Sequence, residues 1–308
     1  SGSVKKFTFN PLSEIIAGVR ILFKKRQLLL AVGSITFFWF LGTLLQMLLL
    51  LLGKEVMHLS DMMIGVLVTF LAIGIGSGAV VAGRLSGDKI ELGLSPLGAI
   101  GMGACAMLLV YSTYSFVLTG AVLTLLGFFG GIFVVPLNAI LQHKSGKEEK
   151  GRVIATNNFI NTGGILGASV VLWLTRDIMN VPVEKIILIF GFSAILLAVF
   201  LIAVLPQYLV RFTFWFLAHT VYKIRIEGRN NVPLCGPALI VSNHISFIDW
   251  LFVSACAQRF IRFMIYSRYY EMKFLKPGLR LMKVIPVPDG GRKELLESIK
   301  MAREELKA

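Results

Sequence analysis

Six runs of apolar residues, at 28–52, 62–85, 94–112, 116–142, 153–174 and 186–206, govern what this chain can become. Each is close to the roughly 20 residues that a helix needs to cross a hydrocarbon layer. None carries an Asp, Glu, Lys or Arg near its middle. A segment in lipid has to satisfy its backbone N–H and C=O groups internally, so runs of this length are expected as helices. The connectors between them are short, which predicts an antiparallel six-helix bundle. A soluble core is excluded by the same density of apolar residues. Of the 308 residues, 56% are hydrophobic, against about 45–50% in a soluble domain, and the mean hydropathy is +0.78.

Charge placement sets the orientation. Lys5, Lys6, Arg20, Lys24, Lys25 and Arg26 precede the first run, Arg84 and Lys89 follow the second, and Lys144, Lys147, Lys150 and Arg152 follow the fourth. The alternate loops hold only Lys54, Arg176 and Lys185, with Glu55, Asp61, Asp177 and Glu184 beside them. Basic residues collect in short cytoplasmic loops, so residues 1–27 read as a cytoplasmic basic linker. Six crossings then return the chain to the cytoplasm after residue 206. The net charge of +14 is explained by anionic lipid at that leaflet, not by nucleic acid. Cys105, Cys235 and Cys256 lie at no metal-ligand or disulfide spacing and are expected as thiols, with no metal site.

Residues 207–308 change character. The aromatic-rich stretch 211–222 suits a short helix at the lipid headgroups. Residues 222–228 alternate like a strand, 237–242 read as a buried strand, and 283–287 as a third. Helices are expected over 248–257 and 272–282, with an amphipathic one over 292–307. Strand and helix alternate, as at the start of an α/β domain.

Directly after 237–242 comes Asn243-His244-Ile245-Ser246-Phe247-Ile248-Asp249. A histidine oriented by a nearby carboxylate can deprotonate a hydroxyl, which acyl transfer to an alcohol requires. A buried histidine beside a capping aspartate is the alternative. With Asn243, His244, Ser246 and Asp249 in register, the stretch resembles the first signature block of the glycerolipid acyltransferases, which acylate lysophosphatidic acid and related lysolipids. The resemblance implies His244 as base and Asp249 as the group that holds its tautomer. It implies Asn243 and Ser246 as supports of the turn, and an acyl thioester of acyl carrier protein or coenzyme A as donor substrate.

The second block of that family normally ends in an arginine for the acceptor phosphate. Here the corresponding segment is Lys283-Val284-Ile285-Pro286-Val287-Pro288-Asp289, with a proline near the arginine's place. The departure points away from a phosphomonoester. It resembles instead acyltransferases for lysophospholipids with a complete headgroup, such as lysophosphatidylethanolamine, with Arg280, Lys283 or Arg292 as candidate phosphodiester contacts. The third block, a Phe-Pro-Glu-Gly-like turn, is expected beyond Ala308, so the domain reads as incomplete and inactive alone.

Six runs behind a basic entry segment resemble the C-terminal half of a major facilitator transporter, a fold of two six-span halves. Gly83-Arg84-Leu85-Ser86-Gly87-Asp88-Lys89 resembles that superfamily's cytoplasmic loop motif with one residue added. Arg84, Asp88 and Lys89 are candidate braces of a gate, or ordinary helix-end charges. Polar residues inside a span are costly and therefore informative. Gln46, Asn138, Asn157 and Asn161 are candidates for a transport path, and Asn157 and Asn161 share one helix face. Hydrogen bonding between helices is the alternative for them.

The expected fold class is a membrane all-α six-helix bundle at 28–206, half of a major facilitator fold, followed by an incomplete cytoplasmic α/β acyltransferase domain at 207–308. The pairing resembles a bacterial family in which a lysophospholipid transporter is fused to a 2-acylglycerophosphoethanolamine acyltransferase, usually continuing into an acyl-ACP synthetase. That resemblance implies an inner-membrane protein that flips and reacylates lysophospholipid, with acyl carrier protein as partner and no resident cofactor. Two rivals stand beside it. One is a transporter of other cargo with a regulatory appendage. The other is a 1-acylglycerol-3-phosphate acyltransferase with a helical anchor.

Overall fold

The computed structural model describes residues 11–86, 90–146, 148–204, 206–222, 224–228, 231–233, 236–257 and 260–307. They divide into two compact units, Ser1–Leu201 and Ile202–Ala308. The first holds α1 (Pro11–Lys24), α2 (Arg26–Leu51), α3 (Asp61–Ser86), α4 (Leu94–Ser112), α5 (Phe116–Lys144), α6 (Lys150–Trp173) and most of α7 (Val183–Val204). Six helical stretches are long and apolar enough to cross a membrane: Arg26–Val56, Asp61–Ser86, Leu94–Ser112, Phe116–Lys144, Lys150–Ile178 and Val183–Val204. They coincide with the six apolar runs to within about a turn at each end. The last stops at Val204 because Pro206, whose ring suits a first helical position, opens the next helix.

Residues 11–24 differ from the linker expected of them. Ile15, Gly18, Val19 and Leu22 fall at helical spacing on one face, and Leu22 is 1% exposed. Across to the start of α6, Arg152 Nε donates to Glu14 Oε2 at 2.7 Å. A basic composition concealed an amphipathic helix.

Apolar area gives helices little reason to associate in lipid, so close backbone contact has to do it. Helix α3 lies along α5 through small residues one turn apart, Gly74 and Gly78 on one helix, Gly127 and Gly131 on the other. A Cβ added at Gly78 would stand 1.9 Å from the Phe128 carbonyl oxygen, and one at Gly127 would stand 2.2 Å from that of Leu71. Helix α4 also packs on α5, where buried Ser95 donates from Oγ to the Phe133 carbonyl at 3.1 Å. Helix α2 packs on α6.

Helices α2 and α6 end alike. Each runs into a π-helical turn, Leu52–Val56 or Leu174–Ile178. A methionine follows, Met57 or Met179, and then a left-handed residue, His58 or Asn180, each at φ 51°. Leu-Gly-Lys-Glu-Val-Met-His and Leu-Thr-Arg-Asp-Ile-Met-Asn agree in chemical type at nearly every position. Arg176 Nη2 donates to Glu55 Oε2 from one turn to the other. The two turns are an internal repeat that apolar periodicity does not reveal.

The second unit holds α8 (Pro206–Val221), α9 (Asp249–Cys256), β1 (Met264–Tyr266), α10 (Ser267–Tyr270), α11 (Lys276–Leu281), β2 (Ile285–Val287) and α12 (Arg292–Lys307). Strands β1 and β2 are parallel, with Met264 opposite Ile285 and Tyr266 opposite Val287. Aromatic edges seat α9 on α8: Phe214 and Trp250 have ring centroids 4.7 Å apart, Tyr222 and Phe252 5.0 Å. Helix α12 is held on β2, where Ser298 Oγ donates to the Pro286 carbonyl at 2.9 Å.

Two expected strands are not formed. Residues 224–228 and 237–242 have no ladder partner among the described residues, and the second stretch, expected to be buried, leaves Val241 84% exposed. A groove of about 700 Å³ is lined by Leu239 and Val241 together with Phe263 and Ile285. The helix expected over 272–282 is confined to Lys276–Leu281, and the strand over 283–287 to Ile285–Val287, with Lys283 left-handed at φ 50°.

Candidate active site

Helix α9 opens on Asp249, and the turn before it folds back, with the Asp249 N–H donating to the Ser246 carbonyl at 3.1 Å. Side chains on a helix tilt toward its N-terminus, and this carboxylate reaches back over the turn. Its Oδ2 accepts from the Ile245 amide at 2.6 Å, the Ser246 amide at 2.9 Å and His244 Nδ1 at 3.0 Å. The Ser246 and Ile245 amides hold the Asp249 carboxyl below its ordinary value against the opposing effect of burial, with smaller help from the His244 hydrogen bond and charge.

An ionised carboxylate can only accept, so Nδ1 carries the proton and the lone pair of His244 sits on Nε2. The imidazole side chain is 76% exposed and the carboxylate behind it 23%. The arrangement is a base open to a ligand and backed by a fixed acceptor, which is the orienting logic of a catalytic triad. Ser246 supports the turn through its backbone at both ends, and Asn243 is exposed just before it. Ile245 and Phe247, on either side of Ser246 in the chain, are 90% and 79% exposed.

Phe247 reaches Tyr269 edge-on, ring centroids 6.3 Å apart. Tyr269 lies in α10, just past the C-terminal end of β1. The His–Asp turn is therefore joined to the carboxyl edge of the parallel strands, where ligands bind in open α/β sheets. Arg280 and Lys283, both exposed, stand before β2 at its opposite end. Arg292 opens α12 on the carboxyl side of β2. Of the three candidate phosphodiester contacts, only Arg292 follows β2 toward that edge.

Two residues at that edge escaped the sequence reading. The Tyr266 hydroxyl donates to Asp289 Oδ2. That bond, then desolvation and the Asp289 charge, raises the Tyr266 hydroxyl above its ordinary value, while Arg268 nearby opposes them. Tyr269 meets Tyr266 edge-on at 6.1 Å. The available signal was Asp289 itself, closing the segment where the acyltransferase pattern carries its arginine.

In the membrane unit the polar candidates separate. Gln46 is exposed, and Asn138 Nδ2 donates to the Val134 carbonyl of its own helix at 3.1 Å. Asn161 is buried and accepts from Thr36 Oγ1 of α2 at 2.8 Å, which is the helix-to-helix bond named as the alternative. Asn157, one turn away and 4% exposed, gives Nδ2 to Asn158 at 3.4 Å. Its Oδ1 is buried with no partner among the described residues. Arg84 is exposed in the last turn of α3. Asp88 and Lys89 lie outside the described residues, as does Cys235.

The profile of the Major Facilitator Superfamily matches residues 3–169, and that of the Acyltransferase family matches residues 223–308. Among curated proteins, the lysophospholipid transporter LplT of Pectobacterium carotovorum is 30% identical over 50% of this chain and 38% of its own length. The lysophospholipid transporter of Photorhabdus laumondii is 30% identical over 60% of this chain and 46% of its own. That of Citrobacter koseri is 32% identical over 50% and 38%. The chain spans about two fifths to half the length of the curated relatives it matches. No solved structure matches it.

Proposed function

This chain belongs to the Major Facilitator Superfamily and carries an acyltransferase domain after its sixth span, and on that premise we propose that it passes a lysophospholipid across a bacterial inner membrane and reacylates it at the cytoplasmic face. The observation that carries the reading is the His244 Nδ1–Asp249 Oδ2 bond, which leaves Nε2 as a base on an exposed turn. In the reaction, Nε2 takes the proton of the lysolipid hydroxyl as the oxygen attacks the carbonyl of an acyl thioester. The tetrahedral intermediate collapses and expels the thiolate, which takes the proton back from the imidazolium. The products are a two-chain phospholipid and a free thiol. Asp249 offsets the charge that develops on the ring.

Acyl-ACP or acyl-CoA is the donor in this reading, acyl carrier protein is the partner, and lysophosphatidylethanolamine is the acceptor class. The likeness to lysophospholipid transporters supports a lysophospholipid cargo. The uncommitted acceptor on Asn157, with Gln46 and Asn138, supports a polar path through the bundle. Placing both steps in one chain gives the inward-moved lipid a short route to the base.

The test is incorporation of a labelled acyl thioester into lysophosphatidylethanolamine by the full-length protein in proteoliposomes, beside uptake of a fluorescent lysolipid. His244→Ala is expected to abolish incorporation and leave uptake intact. Equal incorporation by that variant would remove His244 as the base. No incorporation by the unsubstituted protein would remove the reaction.

A further inference from the structure

We propose that Asp289 and the rings of Tyr266, Tyr269 and Phe247 form a subsite for the ammonium group of a zwitterionic headgroup, one phosphodiester away from the hydroxyl that His244 deprotonates. The inference rests on the acyltransferase reading above and adds the residues that choose the acceptor.

The rings form a continuous path from the catalytic turn. Phe247 lies three positions after His244 and meets Tyr269 at 6.3 Å and 75°. Tyr269 meets Tyr266 at 6.1 Å and 70°. The Tyr266 hydroxyl then reaches Asp289. Rings set edge-on do not stack face to face, and a cation within about 6 Å of a ring centroid is attracted by the ring's quadrupole. Asp289 is exposed at the end of the path. A carboxylate accepts at both oxygens, so the tyrosine bond on Oδ2 leaves Oδ1 for an ammonium group. Arg268, on the first turn of α10, is near enough for its charge to act on the Tyr266 hydroxyl. A run of aromatic rings that ends in an exposed carboxylate matches an amine at the end of the headgroup.

Charge sign separates this site from a phosphomonoester site. A doubly charged phosphate needs an arginine or lysine, and an acid in its place repels it. Asp289 therefore favours headgroups with a terminal cation and disfavours lysophosphatidic acid.

A structural tie between strand ends would also explain the Tyr266–Asp289 bond, and Asp289→Asn distinguishes the two. Asparagine still accepts from the tyrosine hydroxyl but carries no charge. With the full-length protein in proteoliposomes and a labelled palmitoyl thioester, rates are compared for lysophosphatidylethanolamine, lysophosphatidylglycerol and lysophosphatidic acid of one chain length. Asp289→Asn is expected to lower the preference for ethanolamine over glycerol headgroup about tenfold, the size of one charge-assisted hydrogen bond. Asp289→Arg is expected to raise use of lysophosphatidic acid. An unchanged ethanolamine-to-glycerol ratio in Asp289→Asn overturns the subsite and leaves acyl transfer standing. Failure of the unsubstituted protein to acylate any of the three overturns the subsite together with the reaction it serves.

Discussion

Gly76 and Gly78, two positions apart on α3, should respond to the same substitution with opposite signs. A Cβ at Gly78 would lie 1.9 Å from the Phe128 carbonyl oxygen, whereas nothing lies within 4 Å of a Cβ at Gly76. Ordinary van der Waals contact begins near 3.4 Å, so Gly78→Ala must part α3 and α5 by roughly 3.4 − 1.9 = 1.5 Å at that crossing. The obstructing atom is backbone, which no rotamer change can clear. The separation would also loosen the close approaches at Gly74, Gly127 and Gly131 along the same seam. Overpacking of this kind costs about 1–3 kcal/mol. Exchange of glycine for alanine in a helix returns about 0.5–1 kcal/mol. Gly78→Ala is therefore expected to be net destabilising, and Gly76→Ala neutral or stabilising by the propensity gain. Thermal inactivation in mild detergent, read as loss of the monodisperse peak in size-exclusion chromatography, measures both against the unsubstituted protein. Similar shifts for the two variants would refute the close-contact account of the α3–α5 seam.

Two further outcomes follow from polar contacts. Because the Asp249 carboxyl is held below its ordinary value near 3.9, its support of the turn is complete above that value and is lost only as pH falls through the lower one. Exchange at the Ile245 and Ser246 amides, corrected for the intrinsic rate, should stay flat from pH 7 to about 4, and loss of protection between pH 7 and 5 would contradict it. Thr36→Val should cost about 0.6–1.7 kcal/mol of bundle stability by stripping the donor from buried Asn161. A double-mutant cycle with Asn161→Leu measures the coupling, and zero coupling would show that the bond contributes nothing.

The membrane half was legible because one property decides it. Uncharged runs of about 20 residues have a single solution in lipid, so the number of spans and the fold class follow from apolar length. The same reasoning missed α1, whose apolar face is only one residue in three or four and is submerged in basic composition. It also missed the paired π turns, since a π turn depends on where a helix end meets its neighbour. Asn157 and Asn161 looked equivalent in the chain. Only packing against Thr36 assigned one of them to a helix-to-helix bond.

In the second unit, residue order alone was enough to identify His244 and Asp249, because five positions across one turn bring them together whatever the rest of the domain does. Residues 237–242 were misjudged for the opposite reason. An apolar sequence licenses a strand, but a strand exists only with a partner at ladder distance, and no such neighbour stands there among the described residues. Tyr266 and Asp289 are far apart in the chain and meet only because β1 and β2 run parallel in register. Local spacing thus determined the helices and the His244–Asp249 pair. Contacts between distant segments, which depend on tertiary packing and not on any window of residues, decided which polar groups are left to meet a ligand.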